Sequence, residues 1–168
     1  MLDSTINLVR ANLGDIEVIE QLARKIWHEY YPSIISIEQI EYMLHKMYSK
    51  ESLTEQLNDK KDTYYLIMVN NQPNGFISIS NKGDNKYFLN KFYILQDVAA
   101  KGKGTRAFKQ LLSIIQPEEI KLTVNRQNFK SINFYFKNGF IIDSVADFDI
   151  GNGYFMNDFV MIWKKEIK

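Results

Sequence analysis

Residues 99–108, Ala-Ala-Lys-Gly-Lys-Gly-Thr-Arg-Ala-Phe, set Gly102 and Gly104 among Lys101, Lys103 and Arg106, between apolar runs at 92–95 and 108–115. A strand that hands over to a helix through such a turn offers unpaired backbone N–H groups to an anion, and glycines let it approach closely. The same residues suit a solvated basic loop, so sharper patterns have to decide. A P-loop needs glycine where Asp97 stands and Ser or Thr where Gly104 stands, and it fails. The dinucleotide pattern is met by Gly102, Gly104 and Ala107, but the following strand ends in Val124-Asn125 where an acidic residue should hold a ribose.

A second group lies twenty residues on. Asn128, Ser131 and Tyr135 are spaced i, i+3, i+7 and share one helical face, while Phe129, Ile132 and Phe136 repeat that spacing one position later and are expected to face the core. A polar stripe ending in a phenol suits a helix with one side on a ligand. It equally suits an N-capping asparagine and an ordinary half-buried tyrosine.

The elements that must position these residues are legible from periodicity. A strand over 6–11 precedes a helix whose apolar residues from Ile16 to Tyr30 recur at three- and four-residue steps, with Asp15 as N-cap. Ser36 and Gln39 form a capping box for a second helix, and 51–59 adds a short third. Alternation then predicts strands at 63–69, 76–80 and 87–95, joined by the turns Asn70–Gly75 and Asn81–Lys86. A helix from the glycine turn, a strand at 120–124, a helix at 128–138 closed by Gly139, and strands at 140–148 and 154–163 complete the chain. The expected class is α/β, a single domain over 1–168 with a mixed sheet and helices on both faces.

Composition narrows the functions. A net charge of +1 gives no global attraction to nucleic acid or an acidic membrane, so neither is expected as a partner. With no cysteine, disulfides, thiolate catalysis and zinc–sulfur sites are excluded; two histidines make a histidine-rich metal site an unexpected feature. The first ten residues lack an apolar signal core, which makes a cytoplasmic location the expectation.

The segment from Leu89 to Leu112 resembles the pyrophosphate-binding segment of the GNAT superfamily of acetyl-CoA-dependent N-acetyltransferases, whose pattern is (Gln/Arg)-x-x-Gly-x-(Gly/Ala) at a helix start. Gly102 and Gly104 match it; Ala99 stands where Gln or Arg is usual. The helix reading Asn128, Ser131, Tyr135, Gly139, Phe140 resembles the second signature of the same superfamily. The element order agrees with that fold, mostly antiparallel, over nearly the whole chain, and the bacterial polyamine-acetylating type is similar in feel.

The resemblance implies acetyl transfer from acetyl-CoA to a primary amine of a small molecule or peptide, by direct attack in a ternary complex. The pantetheine arm would follow the strand at Phe92, Tyr93 and Ile94, and the pyrophosphate would sit on Lys101, Gly102, Lys103, Gly104, Thr105 and Arg106. Asn128 and Ser131 would border the cofactor, and Tyr135 would be the general acid. Many relatives carry a glutamate base two residues before the position of Phe92; here that residue is Asn90. His28, Glu29, Glu41 and Asp158 stand on elements expected to border the acceptor, each equally suited to a solvated surface. Trp27, Tyr30, Tyr31, Tyr154 and Phe155 suit either an aromatic wall for a cationic amine or core packing. A non-catalytic coenzyme A-binding module is the alternative function. Aromatic residues near the C-terminal strands leave room for a homodimer.

Overall fold

The structure, a computed structural model, describes residues 5–59, 62–99 and 102–166. Seven strands form one sheet in the order β1-β2-β3-β4-β5-β7-β6: β1 is Ile6–Arg10, β2 Asp62–Val69, β3 Gln72–Asn81, β4 Lys86–Ile94, β5 Glu119–Asn125, β6 Ile141–Gly151 and β7 Tyr154–Lys164. Every pairing is antiparallel except β4 with β5. The helices are α1 (Ile16–Tyr30), α2 (Ile37–Tyr48), α3 (Lys50–Asn58), a single turn α4 (Gln96–Ala99), α5 (Lys103–Ile115) and α6 (Phe129–Lys137). The mixed, mostly antiparallel sheet with helices on both faces is the fold the residue pattern predicts.

Alternation along the strands builds two cores. Ile67, Ile77, Ile79, Leu89 and Leu122 pack under α5 and α6, against Phe108, Leu111 and Ile132. Tyr64, Leu66 and Phe76 face the opposite way, under Ile19, Ile26, Trp27, Ile40, Met43 and Leu53 of α1–α3. The longer helices present apolar stripes to the sheet, so its central strands are covered on both sides.

Local chemistry differs from expectation in four places. Asp15 makes no cap bond for α1; its carboxylate accepts from Asn12 N at 2.9 Å, because Asn12 caps a short 3₁₀ turn over Leu13–Asp15 that precedes the helix. Ser36 does cap α2, accepting from Gln39 N at 3.1 Å, but the Gln39 side chain turns away to Phe155 O. The reversal after β2 uses only Asn70 and Asn71, both at positive φ, so β3 starts at Gln72 rather than at residue 76. On α6 only Ile132 of the expected apolar stripe is buried, and Phe129 and Phe136 are exposed.

Candidate active site

A bulge in β4 creates the site. Leu89 pairs with Ile79 and Lys91 with Ser78, which leaves Asn90 as an extra residue between them. A bulge sends two consecutive side chains to one face and bends the strand. Asn90 and Lys91 both reach partners on the α1–α3 side: Asn90 donates to Ser80 Oγ at 2.7 Å, and Lys91 donates to the Tyr64 hydroxyl at 2.7 Å. Past the bulge the alternation restarts, with Phe92 and Ile94 in the α5/α6 core and Tyr93 in the other. The bend also separates β4 from β5. Those strands pair only over Lys86–Phe88 and Glu119–Lys121, so one edge of β4 has no strand partner from Leu89 onward.

A cavity of about 220 Å³ fills the gap. Phe92, Tyr93 and Ile94 form one wall, Gly102, Gly104 and Thr105 the end, and Asn128, Ser131 and Tyr135 the other wall. Nine of the predicted site residues therefore converge on one space. Lys103 and Arg106 do not line it; Lys101 lies outside the described residues. Tyr30, Phe134, Lys130 and Lys137 also line the cavity. The sequence signal for the two lysines is their i, i+7 spacing around the Ser131–Tyr135 stripe.

The two glycines do different things. Gly102 caps α5 with φ +74°, a left-handed conformation that favours glycine, and a Cβ there would meet nothing within 4 Å. Open space before a helix N-terminus fits a pyrophosphate on the amides of the first turn. Gly104 is buried, and a Cβ on it would stand 3.0 Å from the Phe134 ring. Its smallness serves the packing of α5 on α6, and it also lines the end of the cavity beside Gly102. Asn128 caps α6, accepting from Ser131 N at 3.2 Å, and lines the cavity at the same time.

A second cavity, of about 380 Å³, meets the first. Tyr31, Phe92, Tyr93, Asn128, Ser131 and Tyr135 line both. Burial pushes the Tyr135 hydroxyl well above the ordinary tyrosine range, and the neighbouring Tyr31 adds to this, so it stays protonated. Three buried side-chain atoms among the described residues find no hydrogen-bond partner in the protein: Trp27 Nε1, Tyr48 Oη and Asp158 Oδ1. All three residues line the second cavity. Buried polar atoms are otherwise almost always paired, and these three residues share one cavity. Lys91 also lines it; its ammonium lies 5.3 Å from the Tyr48 ring centroid and 5.2 Å from that of Tyr64, and burial pushes its pKa down to about 8.

Of the candidate bases, only Asp158 enters the cavity. His28 and Glu41 pair with each other at 2.8 Å on the exposed side of α1 and α2, and Glu29 is exposed. Asp158 is buried by the pairing of β7 with both β5 and β6, opposite Asn125 and Ala146. Burial raises its carboxyl to about 6, with the Thr123 hydroxyl and Arg126 partly offsetting. The aromatic wall is divided: Trp27 and Tyr31 border the second cavity and stack at 4.4 Å, Tyr30 borders the first, and Tyr154 packs on Tyr42 instead. Phe155 is exposed and lines neither.

The chain as a whole is matched in known proteins. The family model of the acetyltransferase (GNAT) domain matches residues 33–149, and the chain belongs to that family. A spermidine N(1)-acetyltransferase of Thermoplasma acidophilum is 26% identical over 155 residues, covering 86% of this chain and 94% of that protein. The crystal structure of the PaiA N-acetyltransferase of Thermoplasma acidophilum in complex with coenzyme A superposes with a TM-score of 0.81 at 27% identity, covering 96% of this chain and 99% of that one. An acetyltransferase from Thermus thermophilus, 13% identical, shares the fold with a TM-score of 0.70 over 96% of this chain and 97% of its own. The protein is an acetyl-CoA-dependent N-acetyltransferase.

Proposed function

We propose that the protein acetylates a primary amine of a small molecule or peptide by direct attack in a ternary complex, with Tyr135 as the general acid. The observation that carries this reading is that Tyr135 lines both cavities, so its hydroxyl stands where donor and acceptor would meet. Acetyl-CoA supplies an activated acyl carbon when bound. Its pyrophosphate would lie on the start of α5 at Gly102, and its pantetheine arm along the unpaired edge of β4 at Phe92–Ile94, with Asn128 and Ser131 opposite. A hydroxyl kept protonated by burial is suited to give its proton to a departing thiolate, which is a strong base in the same dry space. The chain has no cysteine to carry an acyl group, which favours direct transfer over an acyl-enzyme.

The relative that acts on spermidine makes polyamines the first acceptors to try. A thiol-release assay across polyamines, aminoglycosides, amino acids and peptides identifies the class. With the best acceptor, initial rates should give intersecting double-reciprocal lines; parallel lines would exclude the ternary complex. We propose further that the chain is a homodimer, supported by the edge strand β6, which exposes Ile141, Val145 and Phe148. Sedimentation at micromolar concentration tests it, and a monomer there would refute it.

A further inference from the structure

We propose that Asp158, on β7, binds the acceptor ammonium and takes its proton, the task for which β4 offers only Asn90. This rests on the acetyl-transfer reading above and deepens it. Three observations lead to it. Asp158 is only 3% exposed, yet its Oδ1 has no partner in the protein. It lines the same cavity as Tyr135, so amine and thioester meet between the two side chains. The amide of Asn90 is committed to Ser80 and Ser78, and Ser80 in turn bonds Asp62, so this group is already satisfied.

The charged and titratable groups around Asp158 come from every neighbouring element. Tyr31, just after α1, and Tyr135 of α6 face the cavity as neutral phenols, held so by burial. Tyr93 of β4 is also neutral for that reason, and Lys91 of β4 lies along the same cavity with Asp62 of β2. Arg126, just after β5, is held by Asp147 of β6 at 2.6 Å, so the nearest strong cation is already neutralised. An incoming ammonium therefore finds one buried carboxylate oxygen free to accept from it.

The proton balance closes. The acceptor R–NH₃⁺ gives one proton to the Asp158 carboxylate and becomes R–NH₂. The amine nitrogen forms a bond to the thioester carbon and the carbon–sulfur bond breaks. Tyr135 gives its proton to sulfur and is reprotonated by the second proton leaving nitrogen. Asp158 returns its proton to solvent when the products leave, so one proton is released per amide formed.

The test is the pH dependence of kcat/KM for the wild type, Asp158→Asn, Asp158→Glu and Asp62→Asn, with spermidine or the best amine of the panel as acceptor. In the wild type kcat/KM should rise with pH through a limb near 6. Asp158→Asn should lose about 100-fold or more at neutral pH, and its rate should track the free amine fraction instead. A weakly basic acceptor such as methoxyamine, already neutral, should lose far less. Asp158→Glu should keep part of the rate and the limb, and acetyl-CoA should still raise the melting temperature of each variant. An Asp158→Asn protein that binds acetyl-CoA and keeps the wild-type rate and limb would overturn the proposal. So would loss of the limb in Asp62→Asn alone, which would assign the proton to the Ser80–Asn90 relay. Tyr135→Phe loses turnover in either case, so the two readings fail separately.

Discussion

Tyr135 and Asp158 line one cavity, and both are chemically altered by being taken out of water. For Tyr135 the proposed consequence is catalytic. Tyr135→Phe removes a hydroxyl and nothing else, so kcat should fall about 100- to 1,000-fold while acetyl-CoA affinity, measured by calorimetry, stays unchanged. For Asp158 there is also a stability consequence. Its carboxyl is raised from 3.8 to about 6, so folding favours the protonated form. That contribution is complete below about pH 3.8 and is lost as pH rises through 6, where the folded protein must carry a buried charge. Asp158→Asn should therefore be more stable than the wild type at neutral pH, by about 1 kcal/mol once the open cavity's water is allowed for, and equal to it near pH 3.5. Urea unfolding at the two pH values measures this. The phenol and the asparagine cap of α6 are visible in the sequence as a spaced pair. The free carboxylate is not, since nothing local distinguishes Asp158 from a surface aspartate.

At the scale of elements, β4 and the start of α5 carry the design. The turn at Gly102 is legible because a left-handed residue at a helix start calls for glycine. Gly102→Ala should cost about 1 kcal/mol in stability through backbone strain, and should weaken acetyl-CoA binding by tilting the first amides of α5. Chemical denaturation and calorimetry on the same variant report both. Gly104 behaves differently: a bulky residue would strike Phe134 and displace α6, so a loss of binding there would report packing, not phosphate contact. Phe108, fully buried on the inner face of α5 against Phe92 and Phe140, should cost about 3–5 kcal/mol of stability on truncation to alanine. The bulge at Asn90 has no sequence signature, because it depends on the register β3 imposes on β4.

For the whole molecule, the sheet divides labour between its faces and its ends. The cores under α1–α3 and under α5–α6 hold β4 between them while its free edge opens the cleft. Acetyl-CoA bound there should stabilise the folded state by about 2.7 kcal/mol at a hundredfold excess over its Kd, seen as a rise in melting temperature that NADH does not produce. The end of the sheet at β6 is unpaired, and among the described residues no helix is long and apolar enough to cross a membrane.

The sequence by itself determined the seven strands and five longer helices, their order, the glycine turn and the Asn128–Tyr135 stripe, because each follows from periodicity, capping or turn chemistry within a few residues. Tertiary structure decided the rest. It put Asp158 of the last strand on the same cavity as Tyr135, turned Asn90 and Lys91 to one face, set Gly104 against Phe134 and left Phe129 and Phe136 outside. Those facts depend on which distant strands pair and in what register, and burial, which sets the pKa of Tyr135 and Asp158, exists only once they have.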